Sequence, residues 1–126
     1  MMTIDIGDKQ YELKTTLGVT QKLEKTSGKP LGDILVNIQN ATVDEHLKIL
    51  SCGTEDSQAL KADALDNMDY STLSETVMEF LARLQFGGSP EQIEKKLADS
   101  PLEEAQKNYF RGLLKLPTVS VSGNGS

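Results

Sequence analysis

The apolar residues of the first fourteen positions recur every second residue, and after that the period is helical. Ile4 and Ile6 precede a Gly7-Asp8 pair, and Tyr11 and Leu13 follow it. Alternation on both sides of a Gly-Asp pair predicts a β-hairpin over 2–14. Two strands alone are marginal in water, so the apolar face of this hairpin has to lie on whatever the rest of the chain builds. The rest is helical, which narrows the fold to α+β, mainly α: an N-terminal hairpin packed on about five or six short helices.

The helices follow from their stops and starts. Leu17, Thr20 and Leu23 form a stripe ending at Gly28, and Pro30 suits the first position of a second helix carrying Leu31, Ile34, Leu35 and Ile38. Thr42-Val43-Asp44-Glu45 is a capping-box pattern opening a third helix that stops at Cys52-Gly53. The acidic stretch from Thr54 to Tyr70 admits a short helix around Leu60, Ala64 and Leu65. Ser71 then caps a stronger one bearing Leu73, Val77, Phe80, Leu81 and Leu84, stopped by Gly87-Gly88. Ser89-Pro90-Glu91-Gln92 and Ser100-Pro101-Leu102-Glu103 each place Ser at the N-cap, Pro at the first position and Gln or Glu at the third. Pro117 ends the last helix. The expectation is one domain over 1–117, with the hairpin at 2–14 and helices across 15–116, followed by a mobile C-terminal tail at 118–126. The predicted core is Leu17, Leu23, Ile34, Leu35, Leu47, Leu50, Leu73, Val77, Phe80, Leu81, Leu84, Phe110 and Leu113.

Composition narrows the chemistry. The 126 residues carry a formal charge of −6, one His, one Cys, no Trp and 5% aromatics. An acidic chain whose only arginines are Arg83 and Arg111 is a poor match for nucleic acid, where phosphate contacts dominate affinity. No apolar run approaches the roughly 18 residues of a membrane span, and the start shows no basic and then apolar leader. A single Cys excludes a disulfide framework within the chain.

The reactive patterns are incomplete. His46 and Cys52 lie six apart on one predicted helix and so face different ways, and no further soft ligands exist to complete a metal site. They read as a surface His and a half-buried Cys. Asp66-Asn67-Met68-Asp69 lacks the Gly and Glu of a calcium-binding EF-hand loop. Gly28-Lys29 lacks both the following Ser/Thr and the first Gly of a phosphate loop. Asp56-Ser57 is the dipeptide on which acyl carrier proteins bear their prosthetic group, but Gln58 stands where those proteins have Leu. The expectation is no enzyme, no catalytic residue, no cofactor and no metal. What remains is surface. The last helix carries Tyr109, Phe110, Arg111, Leu114 and Leu116, a candidate partner-binding face, because a helix laid into a groove uses this spacing. The open edge of the hairpin is a second candidate, by strand addition. Either surface also offers a route to a homo-oligomer.

The order Thr3-Ile4-Asp5-Ile6-Gly7-Asp8-Lys9-Gln10-Tyr11-Glu12-Leu13-Lys14, then Leu23-Glu24-Lys25-Thr26-Ser27-Gly28, then Leu31 to Ile38, then Leu50-Ser51-Cys52-Gly53 resembles the opening of the tail assembly chaperones of long-tailed bacteriophages and gene transfer agents. The likeness covers 3–53. Beyond that only helical character is shared, and the two Ser-Pro helices depart from the shorter members. The resemblance implies a non-enzymatic assembly factor in the cytoplasm of the bacterial host. It implies partners too: the tape measure protein, kept soluble before the tube polymerises, and the tail tube protein. A structural tail component retained in the virion is the alternative, and an acidic carrier or adaptor is a further one. No nucleic acid and no membrane partner is expected.

Overall fold

The computed structural model describes residues 2–87 and 90–113. The α+β, mainly α class is what the chain adopts: one antiparallel hairpin and, among the described residues, seven α-helices. Strands β1 (Met2–Ile6) and β2 (Lys9–Leu13) pair in the register Ile6↔Lys9, Ile4↔Tyr11 and Met2↔Leu13. Gly7-Asp8 makes the turn, with Gly7 at φ 60. Glycine is required there twice over: the backbone is left-handed, and a Cβ would lie 3.0 Å from the Asn67 side chain. Met2, Ile4, Ile6, Tyr11 and Leu13 are all buried while the alternate residues are exposed, so one face of the hairpin is core and the other is solvent.

The helices are α1 (Leu17–Ser27), α2 (Leu31–Asn37), α3 (Val43–Ser51), α4 (Ser57–Asn67), α5 (Tyr70–Phe86), α6 (Pro90–Ala98) and α7 (Glu104–Leu113), with a 3-10 turn at Ile38–Asn40. Gly28 ends α1 at φ 74 and donates to the Glu24 carbonyl. The capping box forms: Glu45 N–H donates to Thr42 Oγ1 at 3.1 Å, and Thr42 N–H donates to Glu45 Oε1 at 3.0 Å. Those bonds hold the Glu45 carboxyl below its ordinary pKa.

Three starts differ from the sequence expectation. Pro30 directly precedes α2 rather than opening it, its carbonyl accepting from Ile34 N–H at 3.1 Å. Asp69, not Ser71, caps α5: its carboxylate accepts from Thr72 N–H at 2.7 Å, and that bond lowers its pKa. A carboxylate two residues earlier outcompetes a serine hydroxyl at a helix N-terminus. Ser100 turns its hydroxyl back onto the Leu97 carbonyl at 2.7 Å and so finishes α6, leaving α7 to begin at Glu104. Ser89, Gly88, Leu114, Leu116, Pro117 and the 118–126 tail lie outside the described residues.

The described residues group into two compact units that divide between Gln85 and Phe86. In the first, Leu50, Leu60, Val77, Phe80 and Leu81 are fully buried. Gly53 joins the hairpin to this core. Lys14 N–H donates to its carbonyl at 2.9 Å, and a Cβ on it would meet Phe80 Cζ at 2.8 Å and Leu13 Cβ at 3.2 Å. Leu17, expected in the core, is 84% exposed. Val19 and Leu23, four apart, set the inward face of α1, and Leu17 falls on the opposite side. Leu35 and Leu84 are only half-buried, and the side chain of Leu113 is outside the described set. In the second unit Phe86, Ile93, Leu97 and Phe110 are buried, and the Phe86 and Phe110 rings meet edge-on at 6.1 Å. Among the described residues no helix is long and apolar enough to cross a membrane.

Candidate interaction surfaces

The reactive side chains are tied up locally. His46 is fully buried, not on the surface as expected. It sits on α3 with the inward Leu47 and Leu50, where its Nδ1 is 2.8 Å from the Thr42 carbonyl and its ring meets Tyr70 at 5.6 Å. That bond places the proton on Nδ1. Nε2 is left without a hydrogen-bond partner. Cys52 is buried, its thiol 3.4 Å from the Lys48 carbonyl, and burial pushes its pKa up, away from a reactive thiolate. His46 and Cys52 are thus each engaged one turn back along their own segment rather than with each other. Among the described residues no group of three or more His, Cys, Asp or Glu could hold a metal.

One polar cluster fastens the hairpin to α4. Tyr11 OH donates to the Asp63 carboxylate, and Lys9 Nζ stands 3.5 Å from the same group. The bond to Asp63, then burial, then the charges of Asp63 and Asp56, push the Tyr11 phenol up to about 12. A tyrosine held as a neutral donor to a carboxylate is a structural latch rather than a general base.

The last-helix candidates separate. Phe110 packs on Phe86, and Arg111 grips Glu94 through two bonds of 2.7 and 3.0 Å. Both partners of that pair are 18% exposed in their side chains, and the Arg111 pKa is raised, chiefly by the Glu94 hydrogen bonds. Phe110 and Arg111 therefore work inside their own unit. Tyr109 is half exposed, its ring meeting Phe110 edge-on at 5.8 Å, while Leu114 and Leu116 lie outside the described residues.

Two concave surfaces belong to the first unit. One runs beside β2: about 750 Å³, walled by Gln10, Glu12 and Lys14, by Val19 and Lys22 of α1, and by Cys52–Asp56. In a hairpin closed by the Ile6–Lys9 pair, alternate pairs exchange hydrogen bonds, so the backbone groups of Gln10, Glu12 and Lys14 point outward into this groove. Lys14 N–H is taken by Gly53; no backbone partner from another element reaches Gln10 or Glu12 among the described residues. The strand edge anticipated from the sequence is therefore open.

The other surface is a cleft of about 410 Å³ among α1, α2, the 3-10 turn and α3. Leu23, Ile34, Ile38 and Ile49 line its apolar part, with Lys29, Asn37, Asn40, Glu45 and Lys48 around them. The sequence held no direct sign of this cleft, because its walls come from four separate elements. Comparison with known protein families, curated proteins and solved structures finds no match.

Proposed function

We propose that this chain is a non-enzymatic tail assembly chaperone of a long-tailed phage or gene transfer agent. In this reading it binds the tape measure protein in the host cytoplasm, keeps it soluble, and helps recruit tail tube protein. The observation that carries the reading is the element order over the first half of the chain. A hairpin of Ile4, Ile6, Tyr11 and Leu13 is followed by a helix stopped at Gly28, a second helix over Leu31–Asn37, and a third ending before Cys52-Gly53. This is the order in which the resemblance over 3–53 runs.

Two physical features support work through surfaces. The His Nδ1 and the Cys thiol bond to carbonyls one turn back, and Tyr11 and Asp63 bond to each other across the hairpin and α4. An open strand edge and an apolar-lined cleft are offered instead. The net charge of −6 favours solubility in a protein that must carry exposed apolar surface.

Co-expression with the tape measure protein encoded beside it tests the proposal. The tape measure protein should remain soluble and co-purify with this chain. Equal solubility without the chain, and no complex, would defeat the idea. Mass spectrometry of purified particles addresses the alternative of a structural tail component: a chaperone should be absent, and a component retained in the virion should be present in stoichiometric amount.

A further inference from the structure

We draw no further inference here: the strongest candidate, the groove along the open edge of β2 beside Gln10 and Glu12, is walled by side chains of both charge signs over a buried floor of Tyr11, Val19 and Cys52, and nothing in the structure shows what covers it.

Discussion

The unit that ends at Gln85 and the unit that begins at Phe86 are held together by different means. In the first, Leu13, Leu50, Leu60, Val77, Phe80 and Leu81 have no solvent exposure, and the hairpin is fixed by backbone fit at Gly53. Among the described residues of the second, Phe86, Ile93, Leu97 and Phe110 make a much smaller apolar cluster. Charge-assisted bonds brace it: Arg111 on Glu94, and Lys107 Nζ on the Ala98 carbonyl at 2.8 Å. A helix pair with few residues to bury depends on strong directional bonds, while a larger core can do without them. The first unit should therefore respond to cavities and the second to the loss of charge.

The largest expected effect is on the first unit. Phe80→Ala removes a ring that touches the Gly53 backbone position and should cost about 3–5 kcal/mol in denaturant unfolding. Next is Arg111→Ala, which strands Glu94 and should cost about 2 kcal/mol. Its effect should appear as lost amide-exchange protection in α6 and α7, with α3 and α4 unchanged. Equal loss in α4 would show that the two units are not separately stabilised. Within the first unit, Thr42→Ala should cost about 1 kcal/mol through the capping box, whereas Leu17→Ser, at a position 84% exposed, should stay within about 0.5 kcal/mol.

The Tyr11 latch gives the first unit an alkaline limit. Its folded pKa, about 12, lies above the ordinary 10.0. The neutral phenol stabilises the fold fully below pH 10, and that contribution is lost as pH rises through about 12. Asp63→Asn should bring the Tyr11 titration back toward 10, read by phenolate absorbance; an unmoved titration would show that Asp63 is not the cause. At the acid end the signs reverse. Glu45 and Asp69 have lowered pKa values, so their caps contribute above the ordinary carboxylate range and are lost as pH falls through their folded values.

The same contrast explains what the sequence disclosed. Local signals were legible: the alternation at Ile4, Ile6, Tyr11 and Leu13, the stop at Gly28 and the Thr42–Glu45 box all form as read. Each depends on residues within a few positions of one another. What escaped was set across long separations. His46 becomes a core residue because the carbonyl of Thr42 satisfies one nitrogen while Tyr70 covers the ring. Leu60 and Ala64 are buried under the hairpin in a stretch that reads as polar and acidic, because Tyr11 reaches Asp63 on the same helix. Ser100 looked like the start of α7, but its hydroxyl is used by the preceding helix, a competition that a capping pattern alone does not resolve. Of the surfaces, the hairpin edge was legible from strand logic, and the α1–α3 cleft was not.

The proposal that the chain acts in tail assembly is tested most directly by deleting its reading frame from the genome that carries it. On that proposal, electron microscopy of the lysate should then show filled heads without tails, with tails restored when the chain is supplied in trans. Normal tails on infectious particles at undiminished titre would contradict it.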